Sequence, residues 1–119
     1  MPPGETHGTG EPVDLSAGEG SGPLWGMAGD DLNATLLAWD TGEAVAEHVN
    51  AELDVLVVVL AGSATVTIDG APHELFAPAA LLVPRGTSRA IRAGAGGVRY
   101  LSVHRRRGPL QIAPLAGGD

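Results

Sequence analysis

The stretch HVNAELDVLVVVLAGSATVTIDG, from His48 to Gly70, decides the fold. A short polar segment leads into an unbroken apolar run, Val55 to Ala61; Gly62 interrupts it, and an alternating segment follows as far as Asp69-Gly70. The apolar run is short and rich in β-branched side chains, which favours strand over helix. Asp69-Gly70 between two strand-like segments reads as a two-residue hairpin turn, because both residue types tolerate positive φ. Val55 to Ala61 is apolar on both faces, and such a strand is covered on both sides. In a small barrel one side is the lumen. A second subunit is the simplest cover for the other, so a homodimer is the expectation. In the next segment Ala64, Val66 and Ile68 point one way and Ser63, Thr65 and Thr67 the other, the pattern of a half-exposed strand.

Outward from this centre the chain keeps the same character. Toward the N-terminus, Asp31 to Trp39 reads as a strand and Asp40-Thr41-Gly42 as a turn. Ala44 to Asn50 is a short strand that puts His48 and Asn50 on one face, since i and i+2 share a face. Toward the C-terminus come a weak strand over His73 to Phe76 and a buried one over Leu81 to Val83. Pro84-Arg85-Gly86 then turns the chain. Ser88 to Ala93 is a strand with Arg89 and Ile91 on one face, Gly94 to Gly97 a loose hairpin loop, and Val98 to Arg105 the last long strand. About eight or nine short strands with closely spaced turns, and no helical period, predict an all-β fold, a jelly-roll barrel in a single domain. Residues 23–107 form that domain. Residues 1–22, rich in Gly, Pro, Glu and Ser, read as a disordered tail, and residues 108–119 as an arm that Leu110 and Ile112 clip onto the body or a partner. Leu24-Trp25 is the first expected anchor, with Trp25 a lid on a barrel end.

At 119 residues the chain has the length of one ordinary domain. It contains no cysteine, which removes disulfides, thiolate metal sites and cysteine nucleophiles. All seven basic residues are arginine, and the formal charge of −7 argues against a general nucleic-acid binder. No apolar stretch approaches the roughly 20 residues of a membrane span, and the N-terminus lacks a basic-then-apolar signal pattern. A soluble cytoplasmic protein is the default expectation. Arg105-Arg106-Arg107 is a basic run in this acidic chain; it reads as a solvated strand end, with a salt-bridge patch for acidic segments as the sharper alternative.

Residues 42–93 resemble the small single-domain cupins, which fold as jelly-roll β-barrels. The first motif of that family is Gly, five residues, His, one, His, three or four, Glu, six, Gly. This chain supplies Gly42, His48 and Gly62 in register, but Asn50 stands where the second His belongs and Val55 where the Glu belongs. The second motif contains Pro, one residue, Gly, two, His, three, Asn. Here Pro84 and Gly86 are kept, Arg89 occupies the His position and Ala93 the Asn position. The resemblance therefore implies the fold while removing most of its metal chemistry. A first-row metal site needs three or four nitrogen or carboxylate donors. Asn50 offers a weak carbonyl, Val55 nothing, and Arg89 a guanidinium that repels a cation. A site of Asp54, Glu52, His48 and His104 would need two slips of register. No metal and no cofactor is the expectation.

An inward arginine is costly unless paired. It is answered either from within, by Asp54 or Glu52 at the barrel mouth, or by an anionic ligand, since arginine matches carboxylate and phosphate bidentately. The functional expectation is a pocket for a small acidic molecule, with His48 and Asn50 adding hydrogen bonds. On the last strand Tyr100, Ser102 and His104 alternate with Leu101 and Val103. If the polar set faces inward, the pocket gains a phenol, a hydroxyl and an imidazole; if outward, Leu101 and Val103 fill the core. The leading reading is a small-molecule binding or sensing module that is not an enzyme. The alternatives are an enzyme, either a metal-free isomerase using a His–Tyr pair or a dioxygenase with an unusual metal site, and a structural dimer with a filled lumen.

Overall fold

The structure is a computed structural model and describes residues 5–7 and 10–106, with the backbone alone at 5–7 and 46–48. The expected C-terminal arm lies outside the described residues. Among those described every regular element is a strand: β1 Glu5–His7, β2 Gly22–Ala28, β3 Leu32–Trp39, β4 Ala44–Val49, β5 Val55–Ile68, β6 Ala71–Phe76, β7 Ala79–Val83 and β8 Ser88–Arg105. Among the described residues no helix is long and apolar enough to cross a membrane.

Two long strands build the architecture. The first half of β5 lies between β7 and the second half of β8, running from Val55↔Val83 to Val59↔Ala79 on one side and from Val55↔His104 to Gly62↔Val98 on the other. Its second half lies between β6 and the first half of β8, with Ala64↔Leu75 and Ala64↔Ala93. Strands β3, β2 and β1 extend the first leaf beyond β8, and β4 borders β8 in the second leaf. The two leaves face each other over one apolar core that contains Val55, Val57, Val59, Val98 and Tyr100 from the first and Ala64, Val66, Leu75, Ile91 and Ala93 from the second. This is an all-β jelly-roll barrel in which β5 and β8 are shared by both leaves.

The bends that allow the sharing occur at glycine. Gly62 has φ +76°, and a Cβ there would overlap the carbonyl oxygen of Gly97. Gly97 has φ +83°, and its Cβ would come within 2.7 Å of the Trp39 carbonyl oxygen. An L-residue disfavours that conformation, and a side chain has no space where three backbones cross. The expectation of a hairpin loop at Gly94–Gly97 is therefore corrected: β8 continues through these residues, and the glycines bend it. The Asp69-Gly70 turn is as expected, with φ +49° and +83°, joining Ile68 to Ala71.

A second apolar cluster occupies the outer face of the first leaf. Leu24, Trp25 and Leu36 are buried there, with Leu60, Leu101, Val13 and Leu15 packed against them. Fully burying a large aliphatic side chain is worth about 1.5–3 kcal/mol, so this cluster adds substantially to the main core. Two readings from sequence change as a result. Trp25 does not cap a barrel end; a register shift between Pro23 and Trp25 pairs it with Leu36, and it packs with Leu24 and Leu36 in this cluster. Within 1–22, Val13 and Leu15 are seated on the leaf, and the Arg99 guanidinium donates to the carbonyl oxygens of Leu15, Ala17 and Gly18 at 3.2, 2.9 and 2.8 Å. Residues 13–18 of that segment are held by these two aliphatic side chains and by one cation that satisfies three of their carbonyls. It also covers part of the outer face for which a second subunit was invoked, while Leu56 and Leu82 remain exposed.

Candidate functional site

Between the leaves lies a cavity of about 120 Å³, lined by Leu37, Trp39, Val45, Val57, Arg89, Ile91, Tyr100 and Ser102. Strand alternation selects this set. Leu37 and Trp39 come from the inner face of β3, Val57 from β5, Tyr100 and Ser102 from the second half of β8, and Arg89 and Ile91 from its first half. Register completes it, because Leu37 pairs with Tyr100 and Tyr100 with Val59 across neighbouring strands. The bend in β8 is what brings Arg89 opposite Tyr100, residues that a straight strand would hold far apart.

Tyr100 is buried and its hydroxyl accepts a hydrogen bond from Trp39 Nε1 at 3.1 Å. Burial pushes the phenol above its ordinary pKa, and the Trp39 bond and the nearby Arg89 charge only partly oppose this. The phenol is neutral at physiological pH. Arg89 is half-buried, and desolvation draws its pKa down while Tyr100 opposes the shift. Arginine begins so high that it remains a cation. The cavity thus holds a fixed positive charge beside a neutral phenol on a largely apolar wall.

The six candidate residues divide. Arg89, Tyr100 and Ser102 meet in the cavity. The backbone of His48 pairs with that of Arg89, which places its strand at the site; its side chain lies outside the described residues. Asn50 does not line the cavity. Its Oδ1 accepts from the backbone N–H of Glu52 and Leu53 at 3.1 and 3.0 Å, and its carbonyl accepts from Gly86 N at 2.7 Å, so it shapes the loop before β5. An Asn side chain bonding to the backbone two or three residues on is a common turn device. His104 shares the inner face with Ser102 but lies outside the cavity, with Nδ1 2.9 Å from the Arg105 carbonyl oxygen. The polar face of the last strand does point inward, while Leu101 turns outward into the second cluster. Trp39 was not singled out from sequence. It shares a face with Leu37 by alternation, but its pairing with Tyr100 bridges 61 positions that no local pattern encodes.

The cupin resemblance raises the question of a metal. The described lining offers a guanidinium, a phenol, a hydroxyl and an indole, with no imidazole or carboxylate. Among the described residues no three His, Cys, Asp or Glu side chains converge. Asp54 is engaged elsewhere, accepting from Arg85 N at 2.9 Å. The described lining, with a guanidinium in place of an imidazole, does not suit a resident cation.

Solved structures share this architecture. A conserved protein of unknown function, SPY1581 from Streptococcus pyogenes, is 23% identical, with a TM-score of 0.67 over 83% of this chain and 90% of that one. A cupin protein from Bacteroides fragilis is 22% identical, with a TM-score of 0.61 over 75% and 77%. A predicted oxalate decarboxylase from Thermotoga maritima is 16% identical, with a TM-score of 0.60 over 66% and 69%. No family model and no curated protein matches the chain.

Proposed function

We infer that this cupin fold serves here as a binding scaffold. We propose that the protein is a metal-independent binding or sensing module for a small acidic molecule, held in the lumen by Arg89 with Tyr100 and Ser102 beside it. The observation that carries this reading is the meeting of Arg89 and Tyr100 in one cavity at the position where the family motif places a metal-binding imidazole. A charge-assisted hydrogen bond in a partly desolvated site is roughly twice as strong as a neutral one. The test is thermal shift with a panel of carboxylates on chelator-treated protein. Wild type is stabilised and Arg89→Ala is not; equal responses in both would remove Arg89 from the site.

A second reading, metal-free acid–base catalysis, is favoured by one observation: a neutral phenol faces the lumen and can act as a proton donor. It requires turnover of the bound molecule, so a ligand recovered unchanged after prolonged incubation decides against it. We also propose a homodimer. Leu56 and Leu82 remain exposed on the outer face of the first leaf, and β7, the sequence AALLV, forms its edge without a charged residue. An apolar edge strand of that kind is a template for pairing with another chain.

A further inference from the structure

We propose that the lumen selects a short-chain monocarboxylate, of roughly three to five carbons, over sugar acids and sugar phosphates; this rests on the anion-pocket reading and names its ligand class. Three features of the cavity converge on it. The first is the direction of the hydrogen bonds. An indole N–H can only donate, so the Trp39 bond occupies an acceptor site on the Tyr100 oxygen and leaves the hydroxyl proton to be given elsewhere. Burial holds that proton in place. Arg89 is likewise donor-only, and its five N–H groups can serve a protein partner and a ligand at once. The complementary group is an anion with two neighbouring acceptor oxygens, one for the guanidinium and one for the phenol.

The second feature is the wall. Leu37, Val45, Val57 and Ile91 surround the rest of the space. A hydroxyl-rich body pressed against them would leave its hydroxyls without partners, at a cost for each. A hydrocarbon tail meets no such penalty. The third is volume. The cavity measures about 120 Å³, somewhat less than the roughly 150 Å³ that accommodates the six carbons of benzene. A carboxylate with a tail of two to four carbons fills it, whereas a hexuronate or hexose phosphate, with about twice the atoms, would leave much of its body outside the mouth.

The experiment uses the full chain in chelator, with binding followed by calorimetry and by tryptophan emission, because Trp39 is bonded to the residue that meets the ligand. Acetate, propionate, butyrate, pentanoate, hexanoate and octanoate are compared with galacturonate, glucose 6-phosphate and 1-butanol. Affinity is expected to rise about fourfold for each methylene buried from acetate to butyrate and to fall by octanoate, with no binding of 1-butanol. Tyr100→Phe is expected to weaken butyrate about tenfold without altering the dependence on chain length. The chain-length profile is read on wild type alone, so the test survives a variant that fails to fold. Galacturonate or glucose 6-phosphate binding as tightly as butyrate would overturn the ligand class and leave the anion pocket standing. No anion binding to wild type would overturn both.

Discussion

Replacing Gly62 with alanine tests whether the bend of β5 is where the lumen originates. Gly62 and Gly70 have nearly the same backbone conformation, φ +76° and +83°, but different surroundings. A Cβ on Gly70 meets nothing within 4 Å, whereas one on Gly62 would overlap the Gly97 carbonyl oxygen and come within 2.9 Å of its carbon. Alanine at either position pays the left-handed penalty of about 1–2 kcal/mol. At Gly62 the neighbour is backbone, and forced overpacking adds about 1–3 kcal/mol. Gly70→Ala should therefore cost about 1–2 kcal/mol and Gly62→Ala about 2–5 kcal/mol. At about 4 °C per kcal/mol for a chain of this size, the melting temperature drops by about 4–8 °C for the first and by about 8–20 °C for the second. Thermal unfolding followed by circular dichroism measures both. Equal costs for the two variants would refute the close approach of β5 to β8 at Gly62, and with it the geometry that sets Arg89 against Tyr100.

The remaining predictions concern the site and the outer face. Tyr100 is the only tyrosine and there is no lysine, so the alkaline limb of stability is unusually simple. Its folded pKa is raised, so the unfolded chain loses the phenol proton first. Its contribution is fully present below the ordinary tyrosine value of about 10 and is lost as pH rises through the raised value. Stability measured by denaturant titration should fall above about pH 10, and the fall should flatten in Tyr100→Phe, which at neutral pH loses about 1 kcal/mol with the Trp39 bond. Arg99→Ala removes the donor that holds the carbonyls of Leu15, Ala17 and Gly18; limited proteolysis should then cut within residues 13–20 several-fold faster, with the barrel intact. Light scattering should give a dimer mass for wild type, and Leu82→Arg, on the exposed side of β7, should shift it toward monomer while retaining the β-sheet spectrum.

The strands were legible because their signals are local. The β-branched run at Val55, the Asp69-Gly70 turn and the alternation after Ser63 each act within a few residues. The bends were misread at Gly94–Gly97 because a glycine cluster inside apolar segments fits either a loop or a bulge. What decides between them is the partner strand, β3 and β5 in this case, brought from dozens of residues away. Arg89 was found because it replaces a motif residue, and Tyr100 and Ser102 because they alternate with aliphatics. Trp39 was missed because its role depends on register between β3 and β8. Asn50 was drawn into the pocket by its motif position, yet the nearby N–H groups of Glu52 and Leu53 compete for the same oxygen and win by proximity. In residues 13–18 two aliphatic side chains in a Gly- and Pro-rich stretch give no periodic signal; what holds them is Arg99, far along the chain.

The most direct measurement is a side-chain NMR titration of isotope-labelled protein with butyrate in the presence of chelator, following the Arg89 Nε–H and Trp39 Nε1–H resonances. Both are predicted to shift together and saturate with a single dissociation constant. Resonances that stay still throughout, or move only once a divalent metal is added, would contradict the account.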